Sequence, residues 1–168
     1  CRNCPALLRA AAHFGLVALP GMELCTMEEV HVLCLFANLN DALDFDAAVY
    51  PHILPISNDE ALFGQQLYYH ENDAVFDFAA RYHGLMIPAH IDKSSTSLLS
   101  NLGFVPPGSQ FSCFELQRME NLHRVRRDNP YLEHCTVICD SDAHYLEHIH
   151  EPEHTLLCAE RTPEAVLA

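Results

Sequence analysis

The segment most informative about the fold is Cys135-Thr136-Val137-Ile138-Cys139-Asp140-Ser141-Asp142-Ala143-His144. Its first half is apolar and contains β-branched residues, which predicts a short buried strand. Its second half turns polar at once and sets a carboxylate, Asp142, two residues before an imidazole, His144. Both side-chain types are common ligands of divalent metals. The stretch therefore predicts a strand that ends at a metal-binding position.

The same arrangement occurs twice earlier in the chain. His90 follows the apolar run Leu85-Met86-Ile87-Pro88, and Glu23 follows Leu16-Val17-Ala18-Leu19-Pro20. Short apolar runs alternate with helix-forming segments, which favours an α/β protein with a mainly parallel sheet. Ligands of such sheets and barrels gather at the C-terminal ends of the strands. We therefore expect the three polar clusters to meet at one edge.

The pattern of apolar and polar residues predicts short elements in alternation along the chain. Asn3, Pro5 and Gly15 are typical start and stop residues of a first helix. We expect helices over residues 3–15, 40–49, 72–83, 95–102 and 117–127 and from Pro163 onward, strands over 16–19, 30–36, 85–88, 111–116, 135–139 and 155–159, and a loop over 52–71.

The composition is that of a single folded domain over residues 1–168. Hydrophobic residues occupy 49% of the 168 positions, which is enough for a packed core. The formal net charge is -14, from 9 basic and 23 acidic residues. We expect such a surface to repel long nucleic acids. A small phosphorylated substrate is compatible with it, because bound metal ions reverse the sign of the local charge.

The spacing of the cysteines and the hydropathy of the chain indicate the cellular compartment of the protein. The 8 cysteines are not spaced like a disulfide framework, and several lie in apolar runs, as buried thiols of a reducing compartment do. No apolar run approaches the length of a membrane span, and no signal peptide is recognisable. We therefore expect a cytoplasmic protein without a membrane partner, and the oligomeric state stays open.

Glu23 and His31 can each be interpreted as structural residues as well as metal ligands. Glu23 lies on a corner made by Pro20 and Gly21, where it is either a metal-binding carboxylate or a surface residue. His31 lies inside the apolar run 30–36, where a histidine is usually a hydrogen-bonded core residue. It follows Glu23 by eight positions, so both side chains can also face one site.

The residues after His90 suggest a contact for an anion. Lys93 is the best candidate to bind a phosphate as a point charge. Ser94 and Ser95 either offer hydroxyl donors to the substrate or cap the helix expected over 95–102. Asp140 is either a turn carboxylate or a partner that holds an imidazole N–H of the site.

Taken in order, four motifs resemble the PHP (polymerase and histidinol phosphatase) family. They are Gly21-Met22-Glu23, Val30-His31-Val32-Leu33, Pro88-Ala89-His90 and Ser141-Asp142-Ala143-His144. The resemblance extends over nearly the whole chain and is strongest to the branch described as predicted metal-dependent phosphoesterases, through runs such as 26–33, 88–92 and 102–106. The chain has no Gly-x-x-x-x-Gly-Lys, Gly-x-Gly-x-x-Gly or Gly-x-Ser-x-Gly motif that would favour another class.

The resemblance implies a distorted (β/α)7 barrel that binds two or three divalent ions, usually zinc, manganese or iron. By that resemblance the metal ligands are Glu23, His31, His90, Asp142 and His144. The family opens with a His-x-His strand and an Asp-His pair, and neither precedes Cys1, so we expect one or two N-terminal strands to lie outside this chain. Residues 70–84 are also shorter than the corresponding family segment, through missing residues or a deletion.

The hypothesis from the sequence is a metal-dependent phosphoesterase that attacks a small phosphorylated substrate with a metal-activated water. Glu23, His90 and Asp142 are the expected catalytic residues, while Lys93 and Ser94 are expected to bind the substrate. Two alternatives stay open: a metal-dependent hydrolase of C–N bonds, and a PHP-like binding or regulatory module without turnover.

Overall fold

A computed structural model of the chain describes residues 1–26, 28–52, 66–67, 74–106 and 108–168. The strands are β1 (Gly21–Thr26), β2 (His31–Leu35), β3 (Gln66–Leu67), β4 (Leu85–Pro88), β5 (Cys113–Leu116) and β6 (Thr136–Cys139). The helices are α1 (Cys4–His13), α2 (Leu39–Val49), α3 (Ala74–Arg81), α4 (Leu98–Leu102), α5 (Leu122–Asp128) and α6 (Pro163–Leu167). The described part of the chain is thus a mixed α/β structure.

The described strands form two small sheets. The first has the order β3-β1-β2-β4, in which β2 is antiparallel to both β1 and β4, and β3 is parallel to β1. The second is the parallel pair β5-β6, in which Cys113 lies opposite Thr136. The sheets meet where the amide of Ile91, just after β4, donates to the carbonyl of Glu115 in β5 at 2.9 Å. The ends of β4, β5 and β6 are thereby brought together.

The prediction of a mainly parallel sheet is wrong for this part of the chain. Only four residues separate β1 from β2, whereas a parallel crossover needs a dozen or more. The two strands therefore form an antiparallel hairpin. The α/β class is confirmed, but the described strands form no closed barrel.

The parallel sheet was predicted wrongly because the first strand was expected too early in the chain. Residues 16–19, predicted to be a strand, have no regular structure, and Leu16 is exposed. The strand begins instead at Gly21, where the backbone lies so close to the carbonyl of Cys34 that no Cβ would fit. As a result Glu23 lies inside β1 and not after a strand. The strand predicted over 155–159 is also absent.

Most other predicted elements are confirmed with shifted ends. The helix expected over 40–49 is α2, whose N-terminus is capped by the Asn38 side chain accepting from the amide of Asp41. The segment predicted as helix 117–127 begins with a 3-10 turn, Met119–Asn121, before α5. Residues 53–65 and 68–71 of the predicted loop and residues 72–73 of the predicted helix lie outside the described residues, and Gln66–Leu67 form a strand. No described helix has the length and hydrophobicity to span a membrane.

The hydrophobic core lies against one face of the first sheet. Val32 and Cys34 alternate with half-buried residues along β2, and both are buried. Phe36, directly after β2, packs against Phe45 of α2 with ring centroids 5.0 Å apart. Burial of such side chains stabilises the fold by about 1.5–3 kcal/mol each. The face of β2 that carries His31 is only half-buried, and this face holds the candidate site.

Candidate metal centre

The register of the β1–β2 hairpin places Glu23 and His31 on the same face. Glu23 pairs with Leu33, and His31 pairs with Cys25, so the two side chains are diagonal neighbours. Diagonal positions are within reach of long side chains. His31 Nδ1 lies 2.6 Å from Glu23 Oε1. The hairpin alone therefore brings a carboxylate and an imidazole together.

The third member of the cluster is His90, two residues beyond β4. The amide of Ala89 donates to the carbonyl of His31 at 3.0 Å, which continues the β2–β4 pairing up to the site. The backbone then turns sharply, with φ of 32° at His90, in the left-handed region. This turn directs the His90 ring toward Glu23, with Nε2 3.7 Å from Oε1, and places its centroid 5.3 Å from that of His31.

The three side chains fit a divalent metal ion. One ligand atom each from Glu23, His31 and His90 lies within 4.8 Å of the others. His90 is only 2% exposed, and neither ring nitrogen has a hydrogen-bond partner among the residues that the structure describes. A buried polar group without a partner costs about 1–3 kcal/mol. A carboxylate with two imidazoles suits zinc, manganese or iron, and an ion at this position would give His90 its missing partner.

The charge state of Glu23 also suits a metal. Partial burial raises the pKa of its carboxyl, but the hydrogen bond to His31 and the electrostatic attraction of His31 and His90 outweigh burial. The net pKa of Glu23 lies well below its usual value. Glu23 is therefore ionised at neutral pH, which is the form that binds metals.

Glu115 is a site residue that the sequence reasoning missed. It lies in β5 and is buried, and its Oε2 accepts a hydrogen bond of 2.7 Å from the amide of His90. Burial, a hydrogen bond to Asp140 and the negative charges of Asp140 and Asp142 together raise the pKa of Glu115 to about 8, although the hydrogen bond from the His90 amide opposes this shift. The signal in the sequence was a glutamate within the otherwise apolar run Cys113–Leu116, where a charged residue needs a specific partner.

Asp142 and His144 lie after β6 but do not join the Glu23 cluster at ligand distance. Asp142 has a left-handed backbone, with φ of 45°, and its amide donates to Oδ1 of Asp140 at 2.9 Å. His144 Nδ1 lies 2.9 Å from the carbonyl oxygen of Asp142 and 4.0 Å from its Oδ1. The Asp-x-His pair thus forms its own turn beside the cluster.

The predicted substrate contacts have different surroundings. Lys93 Nζ donates to Asp142 Oδ2 at 3.2 Å, so its charge is paired with a candidate ligand. Ser94 and Ser95 are exposed. The alternative that they cap a helix is wrong, because Ser97 caps α4 in a reciprocal capping box with Ser100.

No family model and no curated relative matches the chain. Its fold is similar to that of the lesion-specific endonuclease PfuEndoQ from Pyrococcus furiosus, with a TM-score of 0.55 and 20% identity over 74% of this chain. A crystal structure of endonuclease Q, in complex with a 27-mer duplex bearing an abasic lesion at its active site, gives a TM-score of 0.43 and 21% identity over 57% of this chain. This chain spans 30% and 24% of those two proteins.

These similarities correct one prediction. The net charge of -14 led to the expectation of a small phosphorylated substrate and to the exclusion of long nucleic acids. That expectation is wrong, since the solved structure with a TM-score of 0.55 to this chain is that of a lesion-specific endonuclease. The physical reason is that net charge averages over the whole surface, whereas a phosphodiester contacts local cations at the reaction centre.

Proposed function

We propose that this chain carries the metal centre of a PHP-type hydrolase that cleaves phosphodiester bonds in DNA. The observation that carries the proposal is the His90 ring, which is buried against Glu23 and His31 with no described hydrogen-bond partner for either nitrogen. The PHP resemblance of the motifs supports it independently. The similarity in fold to a lesion-specific endonuclease supports a polymeric substrate in place of a small phosphate ester.

In this proposal Glu23, His31 and His90 hold one divalent ion of zinc, manganese or iron. A divalent ion supplies Lewis acidity, which lowers the pKa of water and withdraws charge from a phosphoryl group. Glu23 would supply the carboxylate of that site, since its Oε1 lies 2.6 Å from His31 Nδ1 and 3.7 Å from His90 Nε2. Asp142 and His144 would bind a second ion at the end of β6, as the PHP resemblance implies.

Lys93 is proposed to contact the scissile phosphate. Its ammonium group is held next to Asp142 and is still about 30% exposed, so it is accessible to a substrate. Lys93 would contact a phosphoryl oxygen through its ammonium group, and its attraction to Asp142 would be weaker if Asp142 also held an ion. Ser94, exposed one residue further on, is proposed as a hydroxyl donor to the same phosphate.

A second candidate function is a metal-binding module without turnover. It is favoured by one observation, namely that three ligands converge at metal distance within the described residues, whereas the resemblance implies two or three ions. A single ion held by Glu23, His31 and His90 would then order the ends of the strands without cleaving a substrate. The two functions differ in catalysis and not in the first metal site.

The test combines metal binding with cleavage. Zn²⁺ and Mn²⁺ are titrated into the chelator-treated protein by calorimetry, and then labelled duplex oligonucleotides with and without one abasic site are incubated with the loaded protein. His90→Ala is the site variant, and His123→Ala, an exposed histidine of α5, is the matched control. We expect metal binding and cleavage to be lost in His90→Ala only.

Two results would contradict the proposal. Equal metal binding by His90→Ala and the unchanged protein would show that His90 is not a metal ligand and would contradict the proposed metal centre. Metal binding that depends on His90, together with intact oligonucleotides under all conditions, would favour the module.

A further inference from the structure

A buried carboxyl group lies behind the metal centre, on the second sheet. Glu115 is 4% exposed and is flanked in β5 by Cys113, Phe114 and Leu116, all of them buried. Moving a carboxyl group out of water is costly unless specific partners compensate it. A buried glutamate at this position therefore needs partners whose arrangement matters to the protein.

The partners of Glu115 are two consecutive amides of the turn after β4. Its side-chain Oε2 accepts from the amide of His90 at 2.7 Å, and its backbone carbonyl accepts from the amide of Ile91 at 2.9 Å. A single residue thus binds the backbone of a candidate metal ligand from both its side chain and its main chain. Glu115 can therefore fix the backbone at His90 without a hydrogen bond to the His90 ring.

The backbone that Glu115 holds is strained. A non-glycine residue with φ near 32° occupies a sparsely populated region and persists there only when its surroundings fix it. Without the Glu115 side chain, the turn can relax toward a more favourable φ and carry the His90 ring away from Glu23. Metal–ligand distances tolerate only about 0.2 Å of error, so a small relaxation is sufficient to weaken binding.

The Glu115 side chain also reaches the end of β6. It hydrogen-bonds to Asp140, whose Oδ1 in turn accepts from the amide of Asp142 at 2.9 Å. The positive-φ turns at His90 and Asp142 are therefore linked through two carboxyl groups. This link places Glu115 between the two clusters of candidate ligands.

We propose that Glu115 is a positioning residue that sets the His90 turn, and with it the geometry of the metal centre. The inference rests on the proposed function, because it concerns the same metal site. Glu115 itself does not contact the ion in this proposal. Outer partners of metal ligands typically contribute 10- to 100-fold to metal affinity, and we expect about tenfold for Glu115.

Two variants of Glu115 separate positioning from packing. In Glu115→Leu the acceptor for the His90 amide is lost while the volume is roughly kept. In Glu115→Gln the amide oxygen still accepts from His90, and the amide NH₂ donates to Asp140. We expect Zn²⁺ affinity by calorimetry to fall about tenfold in Glu115→Leu and to be restored to within about twofold in Glu115→Gln.

Asp92 provides a matched control. Its carboxylate also joins the turn after β4 to the end of β5, accepting from the amides of Gln117 and Arg118 at 2.7 and 3.2 Å. It makes no described hydrogen bond to His90. We expect Asp92→Ala to lower the thermal midpoint at least as much as Glu115→Leu, with Zn²⁺ affinity unchanged.

The outcomes distinguish this inference from the proposed function. Zn²⁺ affinity that is lost in His90→Ala but unchanged in Glu115→Leu would overturn the role of Glu115 and leave the metal centre intact. Equal losses of affinity in Glu115→Leu, Glu115→Gln and Asp92→Ala would also overturn it, since general destabilisation would then explain them. A protein that binds no Zn²⁺ or Mn²⁺ at all would overturn both.

Discussion

The two clusters of candidate ligands are built in different ways. Glu23 and His31 are fixed by strand pairing, and His90, which is almost completely buried, lies in a turn held by Glu115 of the second sheet. Asp142 and His144 lie in a turn after β6, where the His144 side chain is 54% exposed and Asp142 is paired with Lys93. The first cluster is preorganised by residues far apart in sequence, whereas the second is local.

This difference predicts two metal sites of unequal strength. A site whose ligands are already in place loses little conformational entropy when an ion binds. A site on an exposed turn must order its side chains and displace the ammonium group of Lys93 before it binds. We therefore expect the first equivalent of metal to bind at the strand cluster, formed by Glu23, His31 and His90. The second should bind more weakly at the turn that carries Asp142 and His144.

The largest expected effect is that of His90→Ala on the first equivalent. The variant removes a ligand, so affinity for Zn²⁺ should fall by more than the 10- to 100-fold that outer partners contribute. Calorimetric titration of the chelator-treated protein measures it. A smaller loss than that of His144→Ala would reverse the ranking of the two sites.

The next effect is that of Lys93→Met, and it should have opposite signs in two assays. Loss of the ammonium group frees Asp142, so the second equivalent of metal binds more tightly. Cleavage of a phosphodiester should nevertheless slow by about tenfold or more, because a donor to the phosphoryl group is lost. Titration and cleavage are measured on one preparation, and a fall in both would contradict the competition between Lys93 and the metal.

Glu115 links the two clusters, and its titration should make the stability of the metal-free protein depend on pH. We expect this effect to be of intermediate size. Its folded pKa of about 8 lies above the usual 4.5, so its contribution to stability is fully present below pH 4.5 and is lost as pH rises through about 8. Glu115→Gln removes this titration. Chemical denaturation between pH 5 and 9 in the presence of a chelator should show a smaller decline in stability for the variant, and identical pH profiles would contradict the raised pKa of Glu115.

The smallest effect is expected for His144→Ala. The side chain is mostly exposed and lies outside the strand cluster, so the first equivalent of metal should bind as before. Only the second equivalent should weaken. A loss of the first equivalent on this substitution would mean that the turn and the strand cluster form one site.

The local cluster was the easier one to find in the sequence. The Asp-x-His pair follows directly after the apolar run 135–139, and β6 is confirmed there. The sequence indicated that Glu23 and His31 could face one site, but their contact depends on the strand register, which a one-residue slip reverses and which only the hairpin defines. The predicted strand over 16–19 hid this hairpin, because it left room for a crossover.

Glu115 and the substrate were missed for different reasons. The apolar residues around Glu115 predicted β5 correctly, but its partner, the amide of His90, is 25 residues away and cannot be read from local pattern. The exclusion of long nucleic acids failed because composition reports total charge and not its distribution around a site.

The strand connections also imply an order of assembly. The β1–β2 hairpin closes over four residues, so Glu23 and His31 can meet early in folding, whereas the His90 turn needs β5 to be in place. We expect high-affinity metal uptake to be among the last steps, after the two sheets have joined. In stopped-flow refolding with Zn²⁺ and a colorimetric zinc indicator, uptake should therefore lag behind the recovery of secondary structure. The ion would then be captured by a finished fold and would not guide the chain toward it.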